Sequence, residues 1–309
     1  NYRPNSVALS LKNRKTKTIG VIIPEIVHHY FAKVISGIEE VANSKEYNVI
    51  IGVTNESFNK EIINMEMLID GSIDGFIISL SKETLQKKDY KHIRETINQN
   101  IPVVMFDRAV DEIPCDKIII DDREAGRMAI QKLIDEGRQK ILLLTTKDYL
   151  NIGRLRTEGY KDALAANNIP YHEDLVVRIG ELGDSEDDQR NLEQRINRVF
   201  EMHPDIDGIF GVNEIYAVTA LNVARLRGLD VPEQLSVIGF SDGILSKYAR
   251  PHLTTVSQHG FHMGELAAET LIYRLEKMDK DQIPPYTTQV VKTNLIIRDS
   301  TRNNTSIEL

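Results

Sequence analysis

The sequence is short of cysteine and of long apolar runs. Among its 309 residues Cys115 is the single cysteine, so no disulfide can form within the chain, and a reducing compartment is favoured. No stretch approaches the roughly 20 consecutive apolar residues of a membrane-spanning helix. The basic N-terminus is not followed by the apolar segment of a signal peptide. We therefore expect a cytoplasmic protein that does not enter a membrane.

The motifs of common enzyme classes are also absent. There is no GxxxxGK[ST] phosphate loop, no GxGxxG turn after a strand, no GxSxG elbow and no HExxH zinc motif. The eight histidines, His259 and His262 included, do not show metal-ligand spacing. The pair Asp121-Asp122 could be catalytic or metal-binding, but a helix N-cap at Asp122 before EAGRMAIQKLI is the better interpretation. We predict no catalytic residue, no metal and no cofactor.

Charge is distributed unevenly. The chain has a formal net charge of −8, yet its first 17 residues contain five basic side chains and no acidic one. The acidic remainder of the chain is not typical of a protein that binds polyanions nonspecifically. A basic arm can still attract phosphate groups, because this attraction acts over a short distance. The arm could equally be a solvated tail.

Apolar runs of strand length alternate with amphipathic helical stretches. The predicted strands are 18–23, 48–53, 75–79, 103–106, 117–120, 140–144, 175–179, 208–212, 235–240 and 253–256. The earlier runs, such as IGVII and NVIIGV, are continuous, which is typical of parallel strands covered on both faces. In FAKVISGIEEVANS, Val34, Ile38 and Val41 form one stripe. This pattern predicts an α/β doubly wound architecture, and ten strands favour two sheets in two lobes.

Polar and aromatic residues follow several of these strands. They are Tyr30 and Phe31, Asn55, Asp107 and Arg108, Arg154 and Arg156, Asn213, and Ser241 and Asp242. Ligands of open α/β sheets bind at the carboxyl ends of the strands. Aromatic faces, carboxylates and bidentate donors suit a polyhydroxylated ring. Any single member could instead be an ordinary polar loop residue, so the prediction depends on the recurrence along the chain.

The sequence resembles the LacI/GalR family of bacterial transcription regulators. The resemblance runs in family order through YRPNSVALSLKNRKTKTIGVIIP, HYFAKVISGIEEVANSKEYNVII, IPVVMFDR, IIIDDREAGRMAIQKLIDEGRQKI, RTEGYKDAL, VNEIYAVTAL, LSVIGFSD and RPHLTTVSQ. It implies a fold like the periplasmic binding proteins (type I), with two Rossmann-like lobes, a cleft and three interlobe crossovers, near 121–124, 249–253 and 282–285. The implied domains are a hinge at 1–16, one lobe of 17–121 plus 253–283, a second of 122–252 plus 284–300, and a tail at 301–309.

The resemblance also implies which residues contact a ligand. Tyr30, Phe31, Asp107, Arg156, Phe210, Asn213 and Gln258 occupy positions that contact effector in relatives, with Arg156 as a clamp on hydroxyls or a carboxylate. Relatives commonly have an acidic residue at the position of Ser241; either Asp242 replaces it or the effector differs there. Arg108 would favour an acidic or phosphorylated sugar unless it pairs with Asp107.

The basic arm resembles the family's DNA hinge. Pro4 suits a first helical turn, and Asn5 or Ser6 can cap it. Val7, Ala8 and Leu11 form a narrow stripe, and Leu11 aligns with a leucine that relatives insert into the minor groove. Two turns of helix are marginal in water, so we expect order only with DNA or a dimer partner. The family's helix-turn-helix headpiece would precede Asn1, and operator binding would need it.

The sequence thus predicts a non-enzymatic regulator that binds operator DNA as a homodimer and responds to a sugar or sugar derivative. A periplasmic sugar-binding protein of a transporter is the alternative with the same fold. An enzyme would need a nucleophile and base in the cleft, and no such pair is visible.

Overall fold

The computed structural model describes residues 16–26, 29–71, 73–147, 151–180, 186–278 and 284–302. These residues form two compact units. The first contains the described residues up to Ile119 and those from His259 to Val291, and the second contains the remainder. The chain passes between the units three times, which confirms the predicted two-lobed α/β class with three crossings.

The first unit is built on a six-stranded sheet in the order β11-β5-β4-β3-β1-β2. Its strands are β1 (Thr18–Ile23), β2 (Asn48–Val53), β3 (Gly75–Ile78), β4 (Val103–Phe106), β5 (Asp116–Ile120) and β11 (Thr288–Val291). Its helices are α1 (His29–Ser44), α2 (Phe58–Asp70), α3 (Lys82–Lys87), α4 (Lys91–Asn98) and α10 (Gly260–Met278). Strands β1 to β5 are parallel. The order reverses between β1 and β3, which makes this pair the topological switch point of the sheet.

The second unit repeats this plan, with the order β12-β10-β9-β8-β6-β7. Its strands are β6 (Ile141–Thr146), β7 (Val176–Ile179), β8 (Gly208–Gly211), β9 (Ser236–Phe240), β10 (Thr254–Ser257) and β12 (Asn294–Ile296). Its helices are α5 (Asp122–Asp135), α6 (Asn151–Ala166), α7 (Glu186–Met202), α8 (Glu214–Leu226) and α9 (Ile244–Tyr248), with a 3₁₀ turn at Glu173–Leu175. Its switch point lies between β6 and β8.

The ten predicted strands correspond to β1 to β10, and each end differs by at most two residues. Burial explains this agreement, because strands such as β3, β4 and β9 are buried at every position. NVIIGV forms the predicted parallel strand, but the expectation that both of its faces are covered was wrong. This run forms β2 at the sheet edge, where Ile50 is 44% and Ile51 is 40% exposed.

Two short strands, β11 and β12, were not predicted, and they move the lobe boundaries. Strand β11 joins β5 in the first sheet, whereas β12 pairs antiparallel with β10 in the second. Because β10 belongs to the second sheet and β11 to the first, the chain crosses at 258–259 and 291–292, after the predicted positions near 253 and 284. Both are edge strands of three or four residues in which only Val291 is buried, so they are too short to show the pattern of a core strand.

Helix α1 packs closely on α10. A Cβ atom at Gly37 would lie 2.0 Å from the Phe261 carbonyl oxygen, and one at Gly264 would lie 2.0 Å from that of Val34. These glycines allow the two backbones to approach. Ile38 is buried as predicted, but the stripe ends at Ala42 rather than Val41.

The N-cap of α5 is Asp121, not Asp122. The Asp121 carboxylate accepts a hydrogen bond from the Glu124 amide at 2.9 Å. Asp122 is the first residue of the helix, and its buried carboxylate has a different partner, described below.

Candidate functional site

Left-handed backbone conformations gather at the carboxyl ends of the strands. Positive φ angles at residues other than glycine are uncommon and cost free energy, and they cluster at functional sites. In the described ranges, six of eleven such residues follow parallel strands: Asn55, Glu56, Asp107, Ser241, Asp242 and His259. In each sheet this edge is where the topology places a ligand.

Arg156 occupies the switch point of the second unit. It lies on α6 and is 5% exposed. Its Nε donates to Asp122 Oδ1 at 2.7 Å, and its Nη1 donates at 2.6 Å to the carbonyl oxygen of Val212, just after β8. Its guanidinium carbon lies 3.4 Å from the ring centroid of Phe240, at the end of β9. Each terminal nitrogen carries two N–H groups, so these contacts leave donors for a ligand.

The position of Arg156 depends on close packing between α5 and α6. A Cβ atom at Gly126 would lie 2.6 Å from the Arg156 carbonyl oxygen, and one at Gly159 would lie 2.1 Å from that of Arg123. Because only glycine permits these distances, the α6 backbone is fixed against α5, which carries Asp122.

Ser241 and Gln258 form a polar pair at the ends of β9 and β10. Gln258 is 3% exposed, and its Nε2 donates to the Ser241 hydroxyl at 2.7 Å. Its amide oxygen is buried and has no hydrogen-bond partner among the described residues. An orphaned acceptor of this kind is costly unless a ligand or water satisfies it.

Asn213 and Asp242 lie at the same edge, and both side chains already accept hydrogen bonds within the protein. The Asn213 side-chain oxygen caps α8 by accepting from the Tyr216 amide at 2.9 Å, which leaves its NH₂ group for other contacts. Asp242 accepts a hydrogen bond from Arg298, and its carboxylate is therefore already neutralised. Of the two alternatives for the GFSD departure, replacement of the missing acid by Asp242 is disfavoured.

Two of the predicted aromatic contacts are core residues. Phe210 is fully buried inside β8, with its ring 6.4 Å from that of Phe240. In the first unit, Phe31 is 3% exposed and packs edge-on against Phe106 at 6.2 Å. Each is packed in the interior against a neighbouring aromatic ring.

Tyr30 and Asn55 are more accessible residues of the first unit. Tyr30 lies in the first turn of α1, half-buried, and its hydroxyl contacts the Met263 sulfur at 2.7 Å. Asn55 is exposed after β2. Thr54 and Ser79 flank the end of β1, since their amides donate to Ile23 and Ile22. Both of their hydroxyls are buried without a partner in the part of the chain that the structure describes.

Arg108 pairs with Glu56 and not, as one alternative held, with Asp107 alone. Its Nη1 lies 2.9 and 2.7 Å from the two Glu56 oxygens. Burial would raise the pKa of Glu56, but the charge and hydrogen bonds of Arg108, assisted by Lys82, lower it below the usual value. Burial would likewise lower the pKa of Arg108, and Glu56 raises it instead. Both groups are therefore charged at neutral pH.

Sequence reasoning missed Glu56, Arg298 and the role of Asp122. Glu56 follows Asn55 at the end of a predicted strand, so the rule that selected Asn55 could have found it. Arg298 is separated from Asp242 by 56 residues, and no local pattern links them. The hinge residues Ser6, Val7, Ala8 and Leu11 lie outside the described residues.

The described ranges contain neither a metal-binding cluster nor a membrane-spanning helix. No group of three or more histidine, cysteine, aspartate or glutamate side chains is arranged to hold a metal ion there. No helix in those ranges is long and apolar enough to cross a membrane.

Comparison with known proteins gives a consistent family. Residues 130–301 match the family described as periplasmic binding protein-like domain. A ribose operon repressor of Halalkalibacterium halodurans is 31% identical over 312 residues, covering 100% of this chain and 86% of the relative. A ribose operon repressor of Haemophilus influenzae is 29% identical over 300 residues, covering 97% and 86%.

A solved structure agrees with these relatives. It is a periplasmic binding protein/LacI transcriptional regulator from Alkaliphilus metalliredigens, complexed with D-xylulofuranose. It is 26% identical, covers 93% of this chain and 100% of its own, and superposes with a TM-score of 0.74.

Proposed function

Because the chain belongs to the LacI/GalR family of transcription regulators, we propose that it controls transcription in response to a sugar or sugar derivative. The carboxyl edges of its two sheets contribute the ligand-binding residues. The relatives are repressors of operons, which favours regulation over sugar transport in the periplasm and over catalysis.

The fixed position of the buried Arg156 guanidinium is the observation that supports this proposal best. A buried guanidinium held by Asp122 and stacked on Phe240 has its orientation set before a ligand arrives. Its remaining N–H groups suit two adjacent hydroxyl oxygens, and charge-assisted hydrogen bonds of this kind are strong. A group ordered in advance loses little entropy on binding.

Neighbouring groups supply the complementary hydrogen bonds. The orphaned amide oxygen of Gln258 accepts from a ligand hydroxyl, and the NH₂ group of Asn213 donates to another. At the carboxyl edge of the first unit's own sheet, we propose Tyr30, Asn55 and Asp107 as ligand-contacting residues. A ligand rich in hydroxyl groups offers both donors and acceptors to such a set.

Regulation follows from linkage. A ligand shifts an equilibrium between two states only by as much as its affinity for them differs. We propose that the protein acts in the cytoplasm as a homodimer on a palindromic operator, as the family does, and that ligand binding changes its affinity for operator DNA. The residues from Ser6 to Leu11 would serve as the hinge to the DNA.

Thermal-shift measurements against a panel of sugars test the ligand site. A ligand present at 100 times its Kd adds about 2.7 kcal/mol to the free energy of unfolding. With the stabilising sugar, Arg156→Lys should lose most of this increment, while Arg154→Lys, on the same helix and exposed, should keep it. A full increment in Arg156→Lys would overturn the site assignment.

Transcript levels in cells test the regulatory step. The stabilising sugar should change the level of a defined set of transcripts in wild-type cells and have no effect in cells carrying Arg156→Lys. Identical transcript levels with and without the sugar in the wild type would refute regulation.

A further inference from the structure

We propose that Glu56 makes the first unit's strand edge selective for uncharged ligands by neutralising Arg108. This inference rests on the proposed function and deepens it, because it assigns the ligand to the neutral polyhydroxylated class. Phosphorylated and acidic sugars are excluded.

The geometry pairs the Arg108 guanidinium with Glu56 through one nitrogen. One nitrogen of its guanidinium contacts both carboxylate oxygens and also lies 3.4 Å from the Leu80 carbonyl oxygen. The Arg108 side chain is 12% exposed and that of Glu56 is 14% exposed. A pair this well desolvated is lost only at a large cost, since either charge would then remain buried alone.

The surrounding charges also disfavour an anion. Glu56 accepts from the Lys82 amide at 2.8 Å and lies 3.4 Å from the Lys82 ammonium. Asp107 and Glu25 act on Arg108 together with Glu56. A phosphate dianion approaching Arg108 would meet the negative charges of these carboxylates as well as the guanidinium.

The backbone holds Glu56 in this position. Asn55 and Glu56 have φ angles of 48° and 61°, two consecutive left-handed residues at the end of β2. Such a conformation persists only where surrounding contacts maintain it, and here it directs the carboxylate back towards Arg108.

The second unit follows the same rule. Arg156 forms an ion pair with Asp122, and Arg298 forms an ion pair with Asp242. Arg156 can still bind hydroxyls through its remaining N–H groups, but its net charge is balanced. The three arginines at the two edges are therefore compensated within the protein.

Glu56→Gln separates this role from a structural one. Glutamine retains an oxygen that can accept from the Lys82 amide but removes the charge that neutralises Arg108. Glu83→Gln is the matched control, because Glu83 joins the same two segments by accepting from the Phe58 amide at 2.8 Å. The double variant Glu56→Gln/Arg108→Gln removes the freed cation as well.

The experiment measures thermal shifts and Kd values with D-ribose, D-xylose and D-glucose, with the phosphate monoesters of ribose and glucose, and with D-glucuronate. We expect the wild type to bind a neutral sugar and none of the anionic ones. Glu56→Gln should bind the phosphate ester of that sugar at least about tenfold more tightly than the wild type. Glu83→Gln should keep the wild-type selectivity, and the double variant should lose the gain.

The experiment distinguishes a failure of this inference from a failure of the proposed function. A wild type that binds an anionic sugar as well as its neutral parent overturns this inference and leaves the proposed function standing. A folded Glu56→Gln with unchanged selectivity, or an equal gain in Glu83→Gln, also overturns it. If no sugar of either class stabilises the wild type, the proposed function itself fails.

Discussion

The guanidinium carbon of Arg156 lies 3.4 Å from the ring centroid of Phe240, and its Nε donates a hydrogen bond to Asp122. The ring contact and the carboxylate together restrict how the guanidinium can turn. A cation–π contact in a desolvated site contributes about 2 kcal/mol. The orientation of the proposed clamp is thus set by the protein's own side chains.

Removing the carboxylate should cost both stability and binding. Asp122→Ala leaves a buried guanidinium without its counterion, and we expect the free energy of unfolding to fall by about 3–5 kcal/mol. Chemical denaturation measures this change. Asp162→Ala, which breaks the exposed pair with Arg123, should change stability little. Equal losses in the two variants would contradict a special role for the buried pair.

A methyl group at Gly126 should displace Arg156. Gly126→Ala places a Cβ atom 2.6 Å from the Arg156 carbonyl oxygen, so α6 must move. We expect a loss of about 1–3 kcal/mol in unfolding free energy and weaker ligand binding, by calorimetry. In Gly71→Ala the nearest atom would be 3.3 Å away, at a helix end, and both quantities should change less. An unaltered Kd in Gly126→Ala would show that Arg156 does not depend on this packing.

Gln258 should matter for binding more than for folding. Because its amide oxygen has no partner in the described part of the chain, Gln258→Met removes a costly group together with the bond to Ser241. We expect stability without ligand to change by less than about 1 kcal/mol and ligand affinity to fall about tenfold. Urea unfolding and calorimetry measure the two effects, and a large stability loss with normal affinity would contradict this division.

The pair of Glu56 and Arg108 should give a defined pH dependence. The pKa of Glu56 is lowered from its ordinary value of 4.5 in the folded state, so the unfolded chain takes up the proton more readily. The stabilisation is complete above 4.5 and is lost as pH falls through the lowered value. Unfolding free energies of wild type and Glu56→Gln should therefore differ most near neutral pH and converge in acid. A difference that persists in strong acid would contradict this origin.

Cys115 should be chemically silent in the folded protein. It is 2% exposed, and burial raises the pKa of its thiol to about 11. Because the thiolate is the reactive form, iodoacetamide should modify Cys115 only when the chain unfolds. Mass spectrometry across a urea series should follow the unfolding transition, and rapid labelling without denaturant would show that the site opens locally.

Much of the fold and part of the site were predictable from local patterns. The central strands could be located because burial on both faces requires continuous apolar runs, as in GFII of β3. Strand ends then indicated where Asp107, Arg156 and Ser241 would stand. Strand β12 was missed because its three residues, Asn294–Ile296, are too few to show a strand pattern.

The amino-acid sequence by itself determined the α/β class, ten of the twelve strands among the described residues, the family and the edge of each sheet at which polar residues collect. Only the tertiary structure decided which of these residues form ion pairs with one another. Arg108 with Glu56 is 52 residues apart in sequence, and Arg298 with Asp242 is 56 apart. Local patterns report backbone periodicity and burial, whereas pairing of charges is set by which strand ends the folded sheet brings within hydrogen-bond distance.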